Sequence, residues 1–110
     1  MSFNVITTTG FRKHAKKIGK KHYSLKSDIE FLIDLLEQNP FQGEPLGNDC
    51  YKVRLAISSK GKGKSGGARV ITCVKVVDSD VYLLAIYDKS VKESISDNEL
   101  DELLKIAGLI

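Results

Sequence analysis

The sequence predicts an α+β fold of order β-α-α-β-β-β-α, in which the helices pack against an antiparallel sheet. A short strand-like run and two consecutive amphipathic helical patterns come first, and three further strand-like runs follow them. A third helical pattern closes the chain. With 110 residues, the chain is expected to form a single domain over residues 1–110.

The first half of the chain predicts one strand and two helices. Residues 3–7 have the composition of a short strand, and Gly10 ends that pattern. Apolar side chains then recur at helical spacing with lysines on the opposite face, which predicts a helix over residues 11–22. A second helix begins at either Ser24 or Ser27 and ends before Asn39. Residues 41–49 are expected to form a loop.

The second half predicts three strands and a last helix. Residues 51–57 alternate polar with apolar, and residues 69–77 and 81–87 are apolar and rich in β-branched side chains. The turn at residues 78–80 is short, so the two strands beside it should be antiparallel neighbours. The sequence from Ser96 to Glu99 has the form of a capping box for the final helix, which Gly108 would end.

Charge is strongly segregated along the chain, although its formal net value is only +3. Residues 1–27 contain seven Lys or Arg and no acid, and residues 50–77 contain another seven and no acid. Such blocks make part of the surface positive, which favours a polyanion such as nucleic acid as partner.

The glycine- and lysine-rich stretch at residues 58–69 resembles a phosphate-binding loop only superficially. Gly63-Lys64-Ser65 matches the end of that motif, but Ser58 stands where its first glycine is needed. A strand follows instead of the helix whose amides would bind the phosphates. A nucleoside-triphosphate site is therefore not expected.

Side-chain parity places three cations on one face of the sheet. Lys52 and Arg54 share a face because strand side chains repeat every two residues, and Arg69 should pair near them across the hairpin. Clustered cations repel one another unless an anion binds there, and a phosphodiester would suit Arg and Lys donors. The loop lysines are either a solvated, mobile segment or further RNA contacts; they are Lys60, Lys62 and Lys64.

Other chemistries find little support in the sequence. No His, Cys, Asp or Glu set has metal-ligand spacing, and neither His14 nor His22 belongs to a catalytic constellation, so no metal or cofactor is expected. Cys50 and Cys73 are expected to be buried free thiols. The chain has neither a signal-peptide pattern nor a membrane-length apolar window, so no membrane partner and a cytoplasmic location are expected.

Three stretches resemble the RelE/ParE superfamily of bacterial type II toxins, and more closely its RelE/HigB branch. They are residues 50–55 (Cys-Tyr-Lys-Val-Arg-Leu), residues 64–71 (Lys-Ser-Gly-Gly-Ala-Arg-Val-Ile) and residues 84–93. The resemblance covers nearly the whole chain in element order and implies the fold predicted above.

The resemblance implies a toxin that cleaves mRNA in the ribosome without a metal, by attack of a 2′-hydroxyl on the adjacent phosphate. By position it implies that Lys52, Arg54 and Arg69 are active-site residues, with Lys89 and Tyr87 as further candidates. A lysine with a depressed pKa would be the general base. Thr72 and Cys73 stand where the family often has an aromatic residue.

The resemblance further implies a cognate antitoxin, a small DNA-binding protein, as partner beside mRNA and the ribosome. Two alternatives stay open: a ParE-like inhibitor of DNA gyrase, and a relative that binds RNA without cleaving it. The set of Lys52, Arg54 and Arg69 favours the nuclease over the gyrase inhibitor.

Overall fold

A computed structural model describes residues 2–61 and 63–110. Within these residues the chain forms three α-helices and a five-stranded sheet of order β1-β5-β4-β3-β2. The elements are β1 (Asn4–Thr7), α1 (Thr9–Gly19), α2 (Leu25–Gln38), β2 (Glu44–Gly47), β3 (Cys50–Leu55), β4 (Ala68–Lys75), β5 (Asp80–Asp88) and α3 (Asp97–Ile106).

The predicted α+β class is confirmed, but the sheet is mixed and not purely antiparallel. Strands β2 to β5 form an antiparallel series, whereas β1 runs parallel to β5 at the opposite edge. A parallel pair requires a long crossover instead of a hairpin, and the chain supplies it through both helices and three strands. A single sequence does not indicate which edge β1 joins.

A strand that the sequence did not predict lies inside the expected loop at residues 41–49. Strand β2 pairs with β3 through a tight turn at Asn48 and Asp49, which have φ values of 54° and 62°. Pro45 and Gly47 argue against a strand in general, but β2 is a short edge strand, where proline is tolerated. Its pairing places Glu44 opposite Lys52.

The helix boundaries follow local capping. Thr8 caps α1, since its Oγ accepts from the amide of Phe11 at 3.2 Å, so the helix begins before the predicted residue 11. Helix α2 begins after Ser24, the earlier of the two predicted starts. The predicted capping box of α3 is confirmed, with both Ser96 and Glu99 bonds present.

The sheet separates two apolar cores. Helices α1 and α2 bury one face with a cluster that includes Phe11, Leu32, Leu36, Val53 and Leu55. Helix α3 covers part of the other face through Leu100 and Leu104, which pack on a cluster that includes the predicted buried free thiols Cys50 and Cys73. The rest of the α3 face carries the charged residues of β3 and β4.

Candidate active site

Three cations meet on the α3 face of the sheet, and Lys52, Arg54 and Arg69 are called the basic cluster from here on. Arg54 lies directly opposite Arg69 in the β3–β4 register. The amide of Val74 bonds to the carbonyl of Asp49, so by alternation the pair of Arg54 and Arg69 is a non-hydrogen-bonded one. In such pairs the Cα atoms lie about 4.5 Å apart and the side chains are close.

Arg69 is the buried member of the basic cluster, with 1% of the residue exposed. Its guanidinium donates to the carbonyls of Lys64 and Ala68 at 3.1 Å and of Ser65 at 3.4 Å. It also faces the carboxylate of Glu93, at 3.4 Å from both oxygens. Arg69 therefore folds the loop at residues 64–67 over itself and already holds an anion.

Lys52 is also paired with an acidic side chain. Its ammonium lies 3.3 Å from the carboxylate of Glu44 on β2 and donates to the carbonyl of Glu93 at 3.4 Å. Although residues 50–77 contain no acid, acids from other parts of the chain therefore lie beside their cations in the folded structure. Arg54 is exposed, and no described residue makes a hydrogen bond or ion pair with its side chain.

Tyr87 lies beside the basic cluster because β5 contains a bulge. Thr72 pairs with Leu83 and Ile71 with Ala85, so Leu84 is an extra residue. The bulge reverses the parity of the strand and turns Tyr87 toward the α3 face, opposite Arg69. Strict alternation in the sequence could not reveal this.

The Tyr87 phenol is held as a proton donor. Its hydroxyl donates to the Glu93 carbonyl at 3.3 Å, and the Lys92 ammonium lies 5.5 Å from the ring centroid. Burial, together with the nearby Glu93 charge, raises the pKa of Tyr87 to about 12. The phenol therefore stays protonated at neutral pH and can give a proton to a developing oxyanion.

The lysine-rich loop is anchored at its start. Asp28 on α2 accepts from the Ser58 amide at 2.9 Å and its hydroxyl at 2.6 Å, and the Ser24 hydroxyl accepts from the Ser59 amide at 2.8 Å. Burial opposes ionisation of Asp28, but the hydrogen bonds from Ser58 and Ser24 outweigh it and lower its pKa. These contacts tie the start of the loop to α2 and to the residue before it.

The lysines proposed from the sequence as site residues, in the loop and after β5, differ in their surroundings. The Lys60 ammonium is turned inward, 2.7 Å from Asp88 and 3.1 Å from the carbonyl of Gly66, and its side chain is 12% exposed. Lys64 is exposed beside Arg54, and Lys89 is exposed beyond the end of β5. Lys62 lies outside the described residues.

Asp88 connects the loop to the rest of the fold. Besides Lys60, it accepts from the amide and hydroxyl of Ser90, and its second oxygen lies 3.5 Å from Nε2 of His22. Burial opposes its ionisation, but the Lys60 and Ser90 contacts prevail and lower the pKa of Asp88 to about 2. His22 is thus a packing partner of this aspartate.

Sequence reasoning missed the acids Glu44, Asp88 and Glu93. Glu44 depends on β2, and Glu93 reaches Arg69 from a segment without regular structure. For Asp88 and Glu93, only their short spacing after a buried strand could have drawn attention to them. Among the described residues no three His, Cys, Asp or Glu side chains are grouped as for a metal ion. None of their helices is long and apolar enough to cross a bilayer.

The fold and its site define a class: a small α+β domain with a basic cluster on one face of a mixed sheet. A family model described as the RelE toxin of the RelE/RelB toxin-antitoxin system matches residues 4–110. The chain therefore belongs to the RelE toxin family, as the sequence predicted.

Solved structures agree in fold. The toxin-antitoxin complex RelBE2 from Mycobacterium tuberculosis matches with a TM-score of 0.60 and 20% identity, over 80% of this chain and 92% of that one. A mutant of the E. coli toxin RelE in the free state matches with 0.62 and 18%, over 84% and 90%. Isolated E. coli RelE matches with 0.58 and 17%, over 96% and 99%.

Proposed function

We propose that this RelE-family toxin is an endoribonuclease that cleaves mRNA at the ribosome without a metal ion, and so stops translation and growth. The observation that carries the proposal is the meeting of Lys52, Arg54, Arg69 and Tyr87 on one sheet face. Guanidinium and ammonium donors there would neutralise the charge that develops on a phosphate under attack.

The reaction consists of one displacement at phosphorus. The 2′-oxygen loses its proton and bonds to phosphorus, and the bond to the 5′-oxygen of the next nucleotide breaks. That oxygen takes up a proton, which leaves a 2′,3′-cyclic phosphate and a 5′-hydroxyl end. We assign the proton donated to the leaving oxygen to Tyr87, because its raised pKa keeps the phenol protonated.

The proton acceptor fits Glu93 better than a lysine. Lys52 is already engaged by two acceptors, the carboxylate of Glu44 at 3.3 Å and the carbonyl of Glu93 at 3.4 Å. Glu93 carries a carboxylate at the guanidinium of Arg69, where a phosphate would bind. A phosphate that displaced it from Arg69 would leave this carboxylate beside the attacking 2′-hydroxyl.

A cognate antitoxin is the proposed partner. One structural relative was solved as a toxin-antitoxin complex. An antitoxin that covers the basic cluster with acidic side chains would exclude RNA, because the two would compete for the same cations.

Cleavage can be tested with Arg54→Ala, since Arg54 is exposed and its loss should not disturb the loop that Arg69 holds. Wild type, Arg54→Ala and the exposed-cation control Lys26→Ala would be induced in bacterial cells, with mRNA 5′ ends mapped and growth followed. We expect codon-phased cleavage in wild type and Lys26→Ala. Arg54→Ala should lose it by about 100-fold or more, as when one transition-state donor is removed.

The other outcomes decide between the alternatives. Growth arrest with intact mRNA and a DNA-damage response would replace the proposal with gyrase inhibition. RNA binding without any cleavage product, on free mRNA and on programmed ribosomes, would leave a non-catalytic RNA-binding protein.

A further inference from the structure

An apolar groove opens beside the basic cluster, between α2 and the outer edge of β3. It encloses about 360 Å³ and is lined by Phe31, Leu35, Gln42, Val53, Arg54 and Lys64 among others. Strand β2 pairs with β3 only as far as Lys52, so no described strand covers β3 beyond it. The groove is thus a consequence of the short edge strand.

Two large apolar side chains stand in this groove without a covering element. Phe31 is 63% exposed and Leu35 is 41% exposed, although both lie on the helix that supplies much of the first core. The buried stripe of α2 passes through Leu32 and Leu36, so Phe31 and Leu35 form a separate stripe turned toward the β3 edge.

The polar lining of the groove is suited to an anion. Arg54 and Lys64 are exposed cations at its rim. Its one acid, Asp28, is occupied by the amide and hydroxyl of Ser58 and by the hydroxyl of Ser24. Gln42 adds an amide, which can both donate to and accept from the edge of a base.

The groove is continuous with the proposed site of cleavage. A neighbouring cavity of about 560 Å³ shares Gln42, Val53, Arg54 and Lys64 with it and extends to Lys52 and Glu44. From Lys52 to Arg54 the strand advances about 7 Å. A phosphate on the basic cluster would therefore leave a neighbouring nucleotide at the entrance of the groove.

We propose that this groove is a nucleobase subsite, in which Phe31 stacks on a base of the bound mRNA, Gln42 contacts the base edge, and Arg54 and Lys64 hold the adjoining phosphate. The inference rests on the proposed function and deepens it. Base stacking on an aromatic ring beside cations is how proteins commonly hold single-stranded nucleic acid. The volume lies at the small end of ligand pockets, which run from about 300 to 1,000 Å³, and suits one base.

The subsite explains how this chain could hold a base although Thr72 and Cys73 occupy the two β4 positions where the family often has an aromatic residue. Both are fully buried, Thr72 among the residues of the sheet and Cys73 in the α3 core, so neither can stack on RNA. Phe31 places an exposed ring on the other side of Arg54 instead.

The test couples a protein change to an RNA change. Single-turnover cleavage of mRNA on programmed ribosomes would be measured for wild type, Phe31→Ala and Phe31→Tyr, with each base of the exposed codon and its neighbours replaced in turn by an abasic site. Tyr23→Ala is the control, since Tyr23 is 91% exposed and lies outside the groove.

We expect one abasic position to weaken mRNA binding by wild type about 5- to 150-fold, the usual effect of losing one stacked base. Phe31→Ala should bind intact mRNA as weakly and lose that dependence, while Phe31→Tyr should restore both. The maximal rate of cleavage should change much less than the affinity.

The contrary outcomes are distinct. Unaltered RNA affinity in Phe31→Ala, with wild-type abasic dependence, would overturn the subsite and leave the nuclease proposal standing. Weakened binding of an acidic antitoxin peptide alone would assign the groove to a protein. If wild type neither binds nor cleaves mRNA, the proposed function itself fails, and the subsite with it.

Discussion

At the scale of single residues, the contact between Arg69 and Glu93 bears directly on the proposed binding of a phosphate. Arg69 is nearly fully buried, and Glu93 is the acid that reaches its guanidinium among the described residues. In the proposed mechanism, a phosphate that binds Arg69 would displace this carboxylate. In the proposed mechanism, phosphate binding and proton transfer therefore make opposite demands on Glu93.

Glu93→Gln separates those demands. RNA affinity should rise by up to about fivefold, because the Glu93 carboxylate is half exposed and an ion pair to such a group is worth about 1 kcal/mol or less. The maximal cleavage rate should fall about 10²- to 10⁴-fold, the usual contribution of a general base. Single-turnover kinetics over a range of toxin concentrations measure both, with Glu30→Gln on α2 as control; a rate equal to wild type would remove Glu93 from catalysis.

Gly67 is a second residue-scale feature, required by close packing of the loop on β3. A Cβ at this position would lie 2.0 Å from the carbonyl oxygen of Leu55, which belongs to the backbone and cannot rotate away. Gly67→Ala should lower the free energy of unfolding by about 1–3 kcal/mol or more, as overpacking does.

Urea unfolding checks this prediction against Gly10→Ala as the matched control. A Cβ at Gly10 would have its nearest neighbour, the carbonyl oxygen of Leu84, at 3.7 Å, an ordinary van der Waals distance. Alanine also favours the helix that Gly10 occupies. Equal stability of the two variants would contradict the tight packing at residue 67.

At the scale of elements, Asp88 joins the end of β5 to the loop and to the segment after α1. Its folded-state pKa of about 2 lies below the reference value of 3.8. A depressed carboxyl pKa stabilises the folded state above the unfolded pKa, and the stabilisation is lost as pH falls through the folded pKa. Asp88 should therefore contribute about 2 kcal/mol at pH 5 and little at pH 2.

Asp88→Asn tests this linkage. The variant should be less stable than wild type at pH 5, where it leaves the Lys60 ammonium without its carboxylate, and the difference should shrink toward pH 2. Urea unfolding at both pH values measures it, with the exposed Asp34→Asn as control. A stability difference that is constant with pH would rule out the charged pair.

Much of the element order, but less of the site, could be predicted from the sequence. Hydrophobic periodicity is a local property, so it located three helices and the strands β1, β3, β4 and β5. Strand β2 was missed because its edge position permits residues that usually break strands, and the bulge at Leu84 hid the direction of Tyr87. Glu44 and Glu93 were missed because their contacts depend on the assembled fold.

At the scale of the whole molecule, the chain carries two groups of cations on different elements. The basic cluster lies on the α3 face, whereas the exposed lysines of α1 project from a helix that packs on the other face. None of the α1 lysines belongs to the basic cluster, but their field can attract RNA over about a Debye length.

Neutralising the α1 lysines should therefore affect encounter with RNA and spare the chemical step. In the triple variant Lys16→Gln, Lys17→Gln and Lys20→Gln, we expect slower association with RNA and a shallower dependence of affinity on salt. On single strands the slope falls by about 0.7 for each phosphate that the protein no longer neutralises. The cleavage rate at saturating toxin should stay at the wild-type value. Arg54→Ala should instead lower that rate, because in the proposed mechanism Arg54 would contact the reacting phosphate. A triple variant that cleaves as slowly as Arg54→Ala at saturation would mean that the two groups of cations act as one site.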